Sequence, residues 1–253
     1  MVLAEEVAAS QLHLGETIRA AVTSVNAWQH GGNTLLGSIL LLSPIAAAAG
    51  MTPIENNLYP PSELRKNIKA VAEATTPSDA VAVYEAIRIA RPSGLAGKAP
   101  ALDVNDPSSL RRILEDRVTL YEVFKISAPY DAVAREWVEN YPLTFEIGLP
   151  YFRQQLAEGN NLTTAIVHTF LQILATVPDT LIVRKAGLEK AKDVSTKAER
   201  ILNLGGLATS RGREQLALFD SELRRVTNQQ NPGTTADIIA AIIAVNILNG
   251  YRP

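Results

Sequence analysis

Two turns rich in Gly, Asn and Thr lead directly into apolar sequence, and their residue types suit phosphate binding. The first turn spans residues 31–37 and the second spans residues 231–237. Glycine lets a backbone approach a ligand closely, and the free N–H groups of a helix start attract phosphate. Asn and Thr are also common helix caps, so each turn taken alone favours a capping interpretation over a phosphate site.

Asp237 is the residue of the second turn best suited to chemistry. It follows Thr234 by three residues, the spacing of an acidic capping box, and in that role it would bind only the backbone. The same carboxylate has the chemistry to hold Mg²⁺ or to accept a proton from a hydroxyl. Both roles stay open on spacing alone.

Two further sets of charged residues are candidates. Asp131, Arg135 and Glu139 are four residues apart on one predicted helical face, where a surface row of ion pairs would explain them. Arg184 and Lys185 are adjacent cations that would meet phosphate or form a solvated pair. Residues 184–225 carry ten Lys and Arg against six Asp and Glu. An anionic ligand would therefore prefer this part of the chain.

The sequence also excludes several chemistries. His13, His30 and His168 stand at unrelated spacings, which indicates neither a histidine metal cluster nor a catalytic triad. His168 is expected beside the core of its helix. The absence of Cys excludes disulfides and thiolate sites, and no P-loop or dinucleotide glycine motif is present. The net charge of −2 gives no basic field for nucleic acid.

The elements that must position these residues are helices. Apolar residues recur every three or four positions in residues 110–124 and 162–174, and no alternating strand pattern accompanies them. Asp106 and Asp179 are predicted helix caps. The apolar run 35–50 falls short of the ~20 residues that span a bilayer and is predicted to be a buried helix. We expect one all-α domain over residues 1–253, cytoplasmic and without a membrane partner.

The order of these segments resembles the triphosphoribosyl-dephospho-CoA synthase family and its archaeal and bacterial relatives. The resemblance covers nearly the whole chain, and its most specific parts are the segment 178–185 and the closing motif 231–237. The matching residues are Gly15 to Ile18, Asn33 to Gly37, Ile87-Arg88, Asp103-Val104, Asp131 with Ala134-Arg135, Pro178 to Ile182 with Arg184-Lys185, and Asn231 to Asp237.

The resemblance implies an all-α transferase that takes ATP and 3′-dephospho-CoA as small-molecule substrates, uses Mg²⁺ and releases adenine. It assigns Asp237 and Asp131 to metal or general-base work and Arg184 and Lys185 to neutralising the triphosphate. The implied phosphate or ribose contacts are Gly32, Asn33, Thr34, Asn231, Gly233, Thr234 and Thr235. A nucleotide would then lie between the two glycine turns.

Three departures from the family pattern leave an alternative open. The sequence lacks the Lys-Pro-Gly segment that usually opens the family, and Leu35-Leu36 stands where well-studied synthases carry His-Lys. A common Pro-Gly-Gly-Leu-Gly pattern is Pro-Ser-Gly-Leu-Ala at residues 92–96. The alternative is a diverged helical protein that binds a nucleotide or a partner protein without turnover. A nucleoside or ADP-ribosyl hydrolase is disfavoured because no paired Asp-Asp motif occurs, and a homo-oligomer is compatible with either remaining hypothesis.

Overall fold

A computed structural model describes residues 13–28, 35–56, 58–92, 99–225 and 229–252. These residues form thirteen α-helices and no strand, which confirms the all-α prediction. The helices are α1 (Leu14–Trp28), α2 (Leu36–Met51), α3 (Pro61–Glu73), α4 (Pro77–Ala90), α5 (Ser108–Glu115), α6 (Leu120–Ser127), α7 (Ala132–Val138), α8 (Leu149–Ala157), α9 (Leu162–Thr176), α10 (Thr180–Ala186), α11 (Leu188–Asn203), α12 (Ser210–Arg225) and α13 (Gly233–Leu248). A π-helix, Leu143–Gly148, precedes α8, and a 3₁₀ turn, Gly206–Ala208, precedes α12.

Contacts divide the chain into two compact units. The first unit comprises residues 1–141 and 244–252, and the second comprises residues 142–243. The boundary falls inside α13, so this helix contributes its first part to the second unit and its last turn to the first. The single-domain organisation expected from the sequence stays a prediction.

In the first unit, one carboxylate joins the starts of α1 and α4. Asp79 completes a capping box with Thr76, and its Oδ1 also accepts the backbone N–H of Gly15 at 2.7 Å. A Cβ on Gly15 would lie 2.4 Å from the carbonyl oxygen of Asp79, closer than any real contact. Glycine is therefore required where the two helices meet.

The core of the first unit is organised around a proline in α2. Pro44 has no N–H, so it cannot donate to the carbonyl of Leu40 one turn earlier. The indole N–H of Trp137 donates to that carbonyl at 3.0 Å, and the hydroxyl of Tyr141 donates to the next one, on Leu41, at 2.9 Å. Both aromatic side chains are fully buried. Trp137 therefore satisfies the one backbone acceptor that Pro44 leaves without its helical donor, and Tyr141 adds a second buried hydrogen bond beside it.

Replacement of Trp137 by Phe should destabilise the protein by about 2–3 kcal/mol, because the Leu40 carbonyl loses its donor and the core loses volume. Urea unfolding followed by circular dichroism measures this. In a Pro44→Ala background the new Ala N–H reaches the same carbonyl, so the Trp137→Phe cost should fall by about 1 kcal/mol. An equal cost in both backgrounds would contradict this account of the contact.

In the second unit, α9, α10, α11 and α12 pack into one apolar cluster. Its buried members are Leu171, Leu174, Ile182, Ala191, Val194, Ala198, Ile201 and Phe219. The first part of α13 packs against Gly148, where an added Cβ would lie 2.0 Å from Cδ1 of Ile242. The packing at this glycine thus holds the middle of α13 against the end of the π-helix.

His168 links α9 to the turn before α12. Its Nε2 accepts the backbone N–H of Leu207 at 2.9 Å, which leaves the proton on Nδ1 to donate to Oε1 of Gln155 at 2.7 Å. Burial lowers the pKa of His168 below its usual range. The residue therefore has a structural role as a neutral imidazole beside the core, as expected from the sequence.

The depressed pKa of His168 predicts a loss of stability in mild acid. The unfolded state binds a proton at the ordinary pKa of about 6.5, whereas the folded state binds it only at a lower pH. The stability that neutral His168 contributes is therefore fully present above pH 6.5 and is lost as the pH falls below that value. Urea unfolding at pH 7.5 and 5.5 measures the loss. The variant His168→Gln keeps polar atoms at this position without titrating, so its two values should differ less than those of the wild type. An unchanged difference would assign the pH dependence to other groups.

No helix in the described ranges is both long and apolar enough to cross a membrane alone. The bent pair of α9 and α10 passes a test of length and composition only when the two are counted together.

Candidate functional site

The segments 178–185 and 231–237 meet in the second unit through Asp179. Its Oδ1 caps α10 by accepting the N–H groups of Leu181 at 2.9 Å and Ile182 at 3.1 Å, which confirms the predicted cap. Its Oδ2 accepts both the N–H of Thr235 at 2.7 Å and the hydroxyl of Thr235 at 2.8 Å. One carboxylate therefore serves the first turns of two helices.

Two more contacts fix the first turn of α13 against the first turn of α10. The hydroxyl of Thr180 donates to the hydroxyl oxygen of Thr234 at 3.2 Å. A Cβ on Gly233 would lie 2.6 Å from Cδ2 of Leu181, so a glycine there permits the close approach. Because α13 begins at Gly233, both threonines lie inside its first turn and not before it, where capping was expected.

The environment of Asp179 suits a fixed structural charge. Its side chain is only 2% exposed, and this burial raises the pKa of the carboxyl. The hydrogen bonds from Thr235, Ile182 and Leu181 act in the opposite direction because they favour the ionised form. With four donors around it and almost no exposed surface, the carboxylate orients its neighbours and does not reach a ligand itself.

The cations predicted to meet phosphate lie in the last turn of α10. Arg184 is exposed and Lys185 is half-buried. Burial lowers the pKa of Lys185, the neighbouring positive charge of Arg184 lowers it further, and Asp179 opposes both effects. Two cations held next to each other repel, and an anion beside them would relieve that repulsion.

Part of the positive charge of residues 184–225 is paired within the molecule. Lys190 and Lys197 of α11 each contact both Asp193 and Glu222, at distances from 2.6 to 3.7 Å. This network joins α11 to α12. The positive excess that the sequence suggested is therefore smaller at the surface than a count of residues implies.

The predicted residues of the closing motif differ in exposure. Asn231 is exposed and Gly233 and Asp237 are half-buried, whereas Thr234 and Thr235 are 4% and 2% exposed. The two threonine hydroxyls already form hydrogen bonds inside the protein. A ligand at this turn would first meet Asn231, the backbone near Gly233 and Asp237.

Asp131 lies in the first unit, whereas Asp237 lies in the second. Asp131 is half-buried and caps α7, accepting the N–H groups of Val133 at 2.8 Å and Ala134 at 3.4 Å. Asp131 and Glu139 are the residues that flank α7 at its two ends, and Arg135 lies between them. A shared catalytic or metal role for the two aspartates stays a prediction.

Residues 31–34 of the first glycine turn lie outside the described residues. Gly32, Asn33 and Thr34 are among those left undescribed, as is His30. The helix that follows is described, and its bounds of Leu36–Met51 confirm the predicted buried helix to within one residue at each end. The predicted nucleotide site between the two turns stays a prediction.

The donors at the closing motif fit one mode of Mg²⁺ binding. Within the described ranges, no three His, Asp or Glu side chains gather into a metal cluster. Mg²⁺ in nucleotide enzymes is commonly held by one or two carboxylates together with substrate phosphates and water. Asp237, half-buried where the second turn of α13 begins, offers one such carboxylate.

The link made by Asp179 was missed by reasoning from the sequence. Pro178-Asp179 gave the cap on α10, but Thr235 is 56 residues away in the chain. The only available signal was that both segments contain Thr beside a helix start.

The fold has a counterpart among solved structures. A crystal structure from Archaeoglobus fulgidus, whose protein bears the provisional name triphosphoribosyl-dephospho-CoA synthase, matches with a TM-score of 0.72 and 22% identity. The match covers 99% of this chain and 96% of the other. This chain therefore has the all-helical fold of that structure.

Sequence comparison establishes the family. Residues 2–253 match the CitG family, described as ATP:dephospho-CoA triphosphoribosyl transferase, and the chain belongs to this family. This confirms the resemblance seen in the motifs.

Curated relatives match part of the chain. A protein of Pseudomonas syringae pv. tomato, provisionally named 2-(5''-triphosphoribosyl)-3'-dephosphocoenzyme-A synthase, is 31% identical over 121 residues, or 47% of this chain and 40% of the relative. The synthase of that name from Klebsiella pneumoniae is 33% identical over 92 residues, 36% and 30% of the two chains. The matched stretches thus span less than half of each relative.

Proposed function

We propose that this protein is a transferase that binds ATP with Mg²⁺ and moves its triphosphoribosyl group to a hydroxyl acceptor such as 3′-dephospho-CoA, releasing adenine. The observation that carries the proposal is the family match over residues 2–253. The contact between the segments 178–185 and 231–237 adds support, because it gathers the most specific motifs in one place. A cytoplasmic location is part of the proposal.

The reaction exchanges one bond at the ribose C1′ for another. The bond from C1′ to adenine breaks and a bond from C1′ to the acceptor oxygen forms, so the acceptor hydroxyl loses a proton and adenine gains one as it leaves. The sugar becomes cation-like between these events, and it is stabilised by the negative charge around it. The protein therefore has to hold a polyanion, orient a hydroxyl and accept a proton.

The closing motif and α10 contain groups for each task. Arg184 and Lys185 would neutralise the triphosphate, and Asn231 and Gly233 at the turn that opens α13 would contact its oxygens. Asp237 would accept the hydroxyl proton or serve as a ligand of Mg²⁺. Bound Mg²⁺ supplies positive charge to the triphosphate.

Incubation of the purified protein with ATP, Mg²⁺ and 3′-dephospho-CoA, followed by chromatography for free adenine, tests the proposal. Adenine should appear only when the acceptor is present. If no adenine forms, including after a Lys-Pro-Gly segment is supplied upstream, the transferase proposal is wrong. ATP binding without adenine release would support the alternative of a protein that binds nucleotide without turnover.

A further inference from the structure

We propose that Asp179 is a positioning residue of this reaction, holding Asp237 of α13 in a fixed relation to Arg184 and Lys185 of α10. The inference rests on the proposed function, since it concerns how the same site is assembled. In this role Asp179 does more than cap one helix, although it does not contact the ligand.

The hydrogen bonds of Asp179 divide evenly between the two helices. Among the described residues, Oδ1 accepts from Leu181 and Ile182 in the first turn of α10, and Oδ2 accepts from Thr235 in the first turn of α13. The helix α10 has seven residues and is about 10 Å long. Its last turn, with both cations, therefore follows any shift of its capped first turn.

Capping of α10 alone would not require a carboxylate here. Asparagine is an equally good N-cap, and it avoids the cost of burying a charge. Asparagine cannot, however, accept hydrogen bonds on both sides, because its amide nitrogen would face either Thr235 or the N–H groups of α10. The ionised carboxylate is the side chain of this size that accepts from both helices at once.

The contacts around Asp179 leave little freedom at this junction. Thr180 donates to Thr234 beside it, and Gly233 approaches Leu181 closely. Asp237 lies two residues after Thr235, where the second turn of α13 begins, so the bonds from Thr235 to Asp179 fix the backbone that carries it. Loss of those bonds would displace the acid with respect to the cations.

The variant Asp179→Asn tests the proposal directly. Adenine release should fall by about 100-fold in kcat/KM, since a misplacement near 1 Å is enough for such a loss, while circular dichroism shows a folded protein at the assay temperature. The matched control is Asp106→Asn in the first unit, where the aspartate accepts from Ser108 close by in the chain. This control should keep wild-type kinetics. A folded Asp179→Asn variant with kinetics within threefold of wild type would overturn the proposal.

Variants at Thr235 keep the test decisive if Asp179→Asn does not fold. Thr235→Val removes the hydroxyl bond to Asp179 but retains the backbone bond, so kcat/KM should fall by about tenfold, and Thr235→Ser should recover most of that loss. Thr196→Val, an exposed hydroxyl change in α11, controls for the substitution itself. Equal activity of the Val and Ser variants at position 235 would overturn the role of this contact.

ATP affinity separates this proposal from the proposed function. If the wild type binds ATP without releasing adenine, the transferase proposal fails, and calorimetric titration with Mg-ATP becomes the readout. An affinity at least tenfold weaker in Asp179→Asn than in the wild type would support positioning, and an equal affinity would overturn it. A wild-type protein that neither transfers nor binds ATP overturns both proposals.

Discussion

Replacement of Asp237 by Asn is expected to lower kcat for adenine release by about 10²–10⁴-fold, the range typical of a lost general base. The amide neither accepts the hydroxyl proton nor matches a carboxylate as a ligand of Mg²⁺. Asp237 lies half-buried where the second turn of α13 begins. Because asparagine has nearly the shape of aspartate, the substitution changes the charge and little else. Steady-state kinetics with ATP and the acceptor measure the effect.

The Mg²⁺ dependence of the Asp237→Asn variant separates the two roles of the residue. If raised Mg²⁺ restores activity, the carboxylate acts through the metal; if it does not, the carboxylate acts as the base. Asp220→Asn, which removes a surface charge paired with Arg224, is the control and should retain wild-type kinetics. An Asp237→Asn variant that keeps activity within threefold would remove this residue from the reaction.

Replacement of Gly15 by Ala should destabilise the protein by about 3–5 kcal/mol. The added Cβ would lie 2.4 Å from the carbonyl oxygen of Asp79 and 2.5 Å from its Cα, and backbone atoms cannot move aside as a side chain end would. The separation of α1 and α4 that relieves this clash also breaks the hydrogen bond from Gly15 to the Asp79 carboxylate. Urea unfolding measures the change.

Gly50 in α2 is the matched control for this substitution. It is also a helical glycine, but an added Cβ there would have no neighbour within 4 Å. Gly50→Ala should therefore stabilise the protein by about 0.5 kcal/mol through the better helix propensity of alanine. Similar destabilisation by both substitutions would show that the clash at Gly15 is not the cause.

Features of the fold that depend on local spacing could be predicted from the sequence. Apolar periodicity gave the all-α class, and the cap at Asp179 followed from its position after a proline and before an apolar stretch. The π-helix 143–148 was not anticipated, because its apolar residues resemble those of an ordinary helix. The sequence also placed the start of α13 too late, at Thr234 or Thr235. The first turn of this helix is held by Asp179, the cap of α10, and not by a threonine before it.

The parts of the site that could not be predicted from the sequence depend on contacts between distant residues. The motifs identified Arg184, Lys185 and Asp237 as residues worth attention, but their spacing carried no information on which helices meet. The bond from Thr235 to Asp179 joins residues 56 positions apart. It also places the threonine hydroxyl inside the protein, an orientation that a helical repeat does not specify.

The course of α13 through both units has a consequence for the order of folding during synthesis. The second unit is one continuous segment, residues 142–243, whereas the first unit includes residues 244–252. Tyr59 bonds through its backbone N–H to the carbonyl of Leu248 and through its own carbonyl to the side chain of Asn249. Residues 58–60 therefore leave the ribosome long before their partners exist. The second unit has its whole sequence available first, and the earlier-made unit is completed last.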